Sequence, residues 1–193
     1  MSVIAVSAGH HAAAQGAKYN NLTEWAEAVH WQRLICNELE ALGDIPLSVD
    51  HAKLPAKVKQ INSFHPRVDL AIEIHFNSAP GRAGTGSESI YCPGSVAGEG
   101  WATAIQRSLV PFCSPNRGVK EGWYRLDKPG QIDYAGDVEG DEVVDYFLRK
   151  TRAPAVIVEP YFIHEAPRII ANREIVCQVL AETIHERFLQ LGG

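Results

Sequence analysis

The chain has no surplus of positive charge. Its 18 Lys and Arg face 23 Asp and Glu, a formal net charge of −5. That gives no electrostatic footprint for nucleic acid and no bulk attraction to an anionic membrane or polymer. Cysteine is also sparse. Cys36, Cys92, Cys113 and Cys177 lie far apart with no CxxC pair, which excludes the usual zinc-finger and redox spacings. Free, mostly buried thiols in a reducing compartment are the expectation. No apolar run reaches the length of a membrane span, so no membrane anchor is expected. The N-terminus, MSVIAVSAGHH, lacks a cationic region and has too short an apolar core for a signal peptide. Synthesis in the cytoplasm follows as an expectation. There is no internal repeat and no low-complexity linker. The 193 residues suffice for one domain with a proper core, so a single domain over 1–193 is the economical reading.

Apolar segments alternate between two periods. Ser2 to Ala8 is a short Val- and Ile-rich run that reads as a buried strand. From Leu22 to Leu42 the apolar residues recur at helical spacing, and Gly43 follows as a helix stop. IPLSVD (45–50), VDLAIEIHFN (68–77), GSESIYC (86–92) and APAVIVEP (153–160) read as further strands. LPAKVKQINSF (54–64), with Pro55 in its first turn, and the segments 96–110 and 169–191 read as helices. The stretch from Pro115 to Asp141 is rich in Gly, Pro and charge and reads as loop with one hairpin at most. This alternation predicts an α/β fold: a three-layer sandwich with a largely parallel, twisted sheet flanked by helices.

Three of the strands end in a polar residue with chemical potential. VIAVSAGH ends in His10, LAIEIH in His75 and AVIVE in Glu159. If these strands run parallel, their ends surround one crevice, where such sheets bind ligands. Two histidines and a carboxylate are the donor set of a catalytic zinc, with water in the fourth position. Glu159 is one candidate for the carboxylate donor. Glu24, which opens the first long helix, is the other. A second, non-ligating carboxylate would then move the proton of the activated water. Plainer readings exist for each. Asn21-x-x-Glu24 also fits a capping box. His75 could be a hydrogen-bonded core histidine. His10 and His11 could be loop residues bonded to backbone. A carboxylate at Glu159, after four apolar residues, needs a partner or a task.

Taken together, the motifs resemble one family. Ala8-Gly9-His10, Thr23-Glu24-Trp25, Ile74-His75-Phe76-Asn77, Arg117 to Lys120 and Leu148 to Glu159 follow in order along nearly the whole chain. In this the chain is similar to the zinc-dependent N-acetylmuramoyl-L-alanine amidases of the third amidase type, which cut peptidoglycan. Its Glu159-Pro160-Tyr161-Phe162 end resembles phage and prophage members. The resemblance implies that His10, Glu24 and His75 hold Zn2+ and that Glu159 is the catalytic carboxylate. It places Arg117 and Lys120 near the cleft, where they could bind carboxylates of a stem peptide. His11 stands where the family usually has glycine and could orient His10 or touch substrate; Asn77 is a further candidate for substrate contact. Glu73 stands where many members carry serine and could support the zinc site or pair with a nearby cation. The stretch near 121–145 is longer than the family usually shows and could form a lid or specificity wall, or be a solvated acidic excursion. No wall-binding module is evident. The implied partner is peptidoglycan or a muropeptide, acted on by a monomer. The implied setting is a phage lytic enzyme released by a holin-type route, or a cytoplasmic enzyme recycling wall fragments. The rivals are another zinc hydrolase, such as a carboxypeptidase or N-acyl amidohydrolase, and an inactive wall-binding module.

Overall fold

The computed structural model describes residues 1–125 and 142–192. In chain order the strands are β1 (Val3–Ala8), β2 (Lys18–Tyr19), β3 (Leu22–Thr23), β4 (Ile45–Ser48), β5 (Leu70–Ile74), β6 (Ser87–Tyr91), β7 (Asn116–Glu121), β8 (Trp123–Arg125), β9 (Glu142–Val144) and β10 (Ala155–Glu159). The helices are α1 (Glu24–Ala41), α2 (Leu54–Ser63), α3 (Val96–Leu109), α4 (Tyr146–Lys150) and α5 (Ala166–Gly192).

Six strands form the central sheet in the order β4-β1-β5-β10-β6-β7. Every neighbouring pair is parallel except β10 with β6. The Val- and Ile-rich β1, β5 and β10 are buried at every position. This is what a sheet covered on both faces requires. Alternation along each strand divides the core in two. Ile4, Val6, Leu70, Ile72, Val156 and Val158 face a layer built on Trp31, Ile35, Ile105, Leu180 and Ile184 of α1, α3 and α5. Val3, Ala5, Ala71, Ala155 and Ile157 face Val58, Ile61, Phe147 and Leu148 of α2 and α4. The three-layer α/β sandwich expected from the sequence is the fold observed.

Several boundaries differ from expectation. Asn116–Glu121, expected in loop, is β7, an edge strand parallel to β6. Its residues are exposed or half-buried throughout, so it carries no apolar alternation to read. The first long helix begins at Glu24, not Leu22, because Leu22–Thr23 pairs with Lys18–Tyr19 in a small antiparallel ladder. Thr23 is its N-cap: Oγ1 accepts from the Ala26 amide at 3.3 Å. The closing helix begins at Ala166, before Ile169. A hairpin-like ladder, β8 with β9, brackets the stretch expected to form a lid or wall; residues 126–141 of that stretch lie outside the described residues. Cys36, Cys113 and Cys177 are buried and Cys92 half-buried, all as free thiols. Among the described residues no helix is long and apolar enough to cross a membrane.

Candidate metal centre

The strand ends bring the polar residues into one row. Ala8 pairs with Ile74, and Ile74 with Val158. Beyond the ladder, the Gly9 amide donates to Ile74 O (2.7 Å) and the His75 amide to Val158 O (3.0 Å). Glu159 pairs across the antiparallel ladder with Glu88. His10 and His75, just past the ends of β1 and β5, therefore line up with Glu159 on β10 and Glu88 on β6, four neighbouring strands of the sheet. Glu24 enters from the first turn of α1.

His10, Glu24 and His75 form a cluster whose donor atoms all lie within 4.8 Å of one another. His10 Nε2 is 3.0 Å from Glu24 Oε2, and His75 Nδ1 is 2.9 Å from Glu24 Oε1. The two rings meet edge to face with centroids 5.0 Å apart. The backbone leaves room for this. A Cβ on Gly9 would stand 2.5 Å from the His75 ring. A Cβ on Gly16, a residue at φ +70°, would stand 2.5 Å from both Glu24 Oε2 and His10 Nε2. Both positions need glycine for close approach, and Gly16 for its backbone conformation as well. Glu24 is held from two sides, accepting from the Ala17 amide (3.0 Å) and the Phe76 amide (3.1 Å). It does not close a capping box with Asn21.

The electrostatics suit a cation. Burial alone would raise the Glu24 carboxyl, but its hydrogen bonds to His10 and His75 and their charges hold it well below the ordinary range. Burial alone would lower His75, but its hydrogen bonds to Glu24 and Glu73 raise it well above the ordinary value. Two imidazoles and a carboxylate at this mutual spacing are the chemistry of a four-coordinate Zn2+ with one open position. His75 Nε2 lies 3.2 Å from Glu73 Oε2, while Nδ1 faces the cluster. Such an outer carboxylate fixes the tautomer and orientation of a ligating histidine. Glu73 also pairs with a cation, Lys57, at 3.5 Å.

Glu159 is 8% exposed, and its Oε2 has no hydrogen-bond partner among the described residues. Burial pushes its carboxyl up to about 8; His75 opposes that, Glu24 and Glu88 add to it, and Arg117 opposes it. A buried carboxyl titrating near neutrality is suited to give and take protons.

The remaining candidates form a wall beside Glu159. Glu88 is fully buried and accepts from Asn77 Nδ2 (2.6 Å), Arg117 Nε (2.8 Å) and Lys120 Nζ (2.6 Å). The Arg117 guanidinium also lies 5.0 Å from the centre of the Phe162 ring. Sequence reasoning named Asn77, Arg117 and Lys120 but missed the carboxylate that gathers them. The available signal was an acidic residue, Glu88, inside a segment read as a strand. His11 lies in the turn closed by its backbone pairing with Ala14, outside the donor cluster, so the structure brings His10 to the site rather than its neighbour.

A mostly parallel sheet with two histidines and a raised carboxyl at its strand ends, and a third metal-type donor from the first turn of α1, defines an α/β protein with the parts of a hydrolase. The chain belongs to the family Amidase_3, N-acetylmuramoyl-L-alanine amidase, whose profile matches residues 4–174. No curated protein sequence matches it. Among solved structures it is similar to the catalytic domain of CwlV, an N-acetylmuramoyl-L-alanine amidase from Bacillus (Paenibacillus) polymyxa var. colistinus. That match has TM-score 0.76 and 20% identity, over 97% of this chain and 98% of that one. It is likewise similar to the N-acetylmuramoyl-L-alanine amidase AmiC2 of Nostoc punctiforme, with TM-score 0.76 and 18% identity over 98% and 97% of the two chains. A third is the catalytic domain of the CD27L endolysin targeting Clostridia difficile, with TM-score 0.73 and 20% identity over 95% and 97%. At these identities the likeness is one of fold.

Proposed function

We propose that the protein is a zinc-dependent amidase that hydrolyses the amide between the lactyl group of N-acetylmuramic acid and L-alanine in peptidoglycan. The observation that carries this reading is the convergence of His10, Glu24 and His75 beside the buried Glu159, in a chain of the amidase family. His10, Glu24 and His75 hold the ion, and Glu73 orients His75. A bound Zn2+ supplies Lewis acidity to the scissile carbonyl and acidifies the attacking water. Glu159 takes the water's proton as the oxygen attacks the carbonyl carbon. It then delivers that proton to the alanine nitrogen as the C–N bond breaks, so that the departing group leaves as an amine. With its carboxyl near 8, Glu159 lies close to an ordinary working pH, where one group serves well as base and then as acid.

Arg117 and Lys120 contact stem-peptide carboxylates in this proposal, and their substitution raises KM more than it lowers kcat. A phage or prophage lytic role is supported by the Glu159–Phe162 motif. In that setting the enzyme is made in the cytoplasm and reaches the wall by a holin-type route, acting as one domain and one copy. Expression in a susceptible host with and without a holin tests it: lysis only in the first case is expected, and no lysis in either favours fragment recycling.

Glu159→Gln tests the catalytic assignment. Zinc content stays at the wild-type level and turnover falls by roughly 10²–10⁴-fold, the usual contribution of general acid–base catalysis. Near-normal turnover in that variant would remove Glu159 from the chemistry.

A further inference from the structure

Two of the three donors are histidines on different strand ends, and one side chain from elsewhere touches the supports of both. Lys57 comes from α2, on the far side of the sheet from α1. Its side chain is 2% exposed. Its Nζ donates to the carbonyl oxygens of Ala8 and His10, the latter at 2.7 Å, and lies 3.5 Å from Glu73 Oε1. An ammonium has three donors and no acceptor, and here it meets three oxygens. Ser7 Oγ donates to the same Glu73 oxygen at 2.8 Å. The other Glu73 oxygen meets His75 Nε2 at 3.2 Å. One buried ion pair thus joins the main chain that carries the first histidine to the ring of the second.

The main chain that Lys57 grips is the part that needs a grip. His10 sits at φ +62°, a conformation that costs a non-glycine residue energy and persists only where surrounding contacts enforce it. Lys57 binds the carbonyl of that residue itself. Glu24, by contrast, meets the two histidine rings but is itself held by the Ala17 and Phe76 amides, not by Lys57 or Glu73. Loss of Lys57 would therefore release the histidines relative to the carboxylate, not the cluster as a unit.

We infer that Lys57 is a positioning residue of the metal site: paired with Glu73, it fixes the backbone of His10 and the ring of His75 in the arrangement that takes the ion. The inference rests on the metal reading given above. The measurement is the Zn2+ dissociation constant, by competition with a chromophoric chelator, beside thermal unfolding of the metal-free protein. Lys57→Met alone leaves the buried Glu73 carboxylate without its cation and can fail to fold. The double variant K57M/E73Q removes both charges and keeps a side-chain amide oxygen within reach of His75. The double variant unfolds cooperatively yet binds Zn2+ roughly 10–100-fold more weakly than wild type, the range for outer supports of a metal site. E73Q alone, which keeps the grip on His10, loses less. Zinc affinity of K57M/E73Q within about threefold of wild type would overturn the inference, because Lys57 would then be only a counter-charge for Glu73. A double variant that does not fold would overturn it too, making Lys57 a folding residue. Wild-type protein that binds no zinc would sink the metal reading itself, and this inference with it.

Discussion

Glu159 is a costly residue to bury. Its carboxyl has an ordinary value of 4.5 and is pushed up to about 8 in the folded protein. A raised carboxyl contributes stability that is fully present below about 4.5. That stability is lost as pH rises toward 8, because the unfolded chain ionises freely while the folded one resists. The loss is on the order of 5 kcal/mol or less at about 1.4 kcal/mol per pH unit. Glu159→Gln removes the titration. The metal-free variant is therefore expected to melt above wild type at pH 9 and close to it at pH 4.5; equal melting curves at both would mean that Glu159 is not buried as an acid. Glu24 poses a different residue-scale question, donor or helix support. Glu24→Ala takes away a donor to the cluster and the acceptor of the Ala17 and Phe76 amides. Zinc affinity is expected to fall by about 100-fold or more, beyond what loss of an outer support does. Unchanged metal content would reduce Glu24 to a support of the helix start.

At the scale of elements, β6 and β7 carry a charge cluster in which the buried Glu88 meets two half-buried cations. Glu88→Ala would remove the carboxylate that Arg117 and Lys120 share, at a cost of about 1.5–3 kcal/mol in denaturant titration. A cost below about 1 kcal/mol would place the cluster in the same class as ordinary surface pairs. The elements were legible in the sequence in proportion to their apolar content. β1, β5 and β10 are mostly apolar runs buried along their whole length, and His10, His75 and Glu159 could be read from the run ends. β7, NRGVKE, is an exposed edge whose pairing is a property of β6, so nothing local announced it. Lys57 was hidden because helix α2 is polar on average. It lies three residues after Leu54 and four before Ile61, on the apolar stripe that packs against the sheet. A lysine on such a stripe is the signal that could have found it. Glu24 was legible only as one of two candidates, since spacing along one helix cannot report which strand end it faces.

At the scale of the molecule, the fold matches amidase catalytic domains along nearly its full length at 16–20% identity in most of the comparisons. What the comparisons share at that distance is architecture, a mostly parallel sheet flanked by helices. The central claim is metal-dependent cleavage of the muramoyl–alanine amide. It is tested most directly by mass spectrometry of the soluble products released from purified peptidoglycan, with and without a chelator. The expected products are peptides with a free N-terminal alanine and glycans that keep an intact lactyl acid, both lost on chelation and restored by Zn2+. Peptides shortened at their C-terminal ends, or release that the chelator leaves untouched, would contradict it.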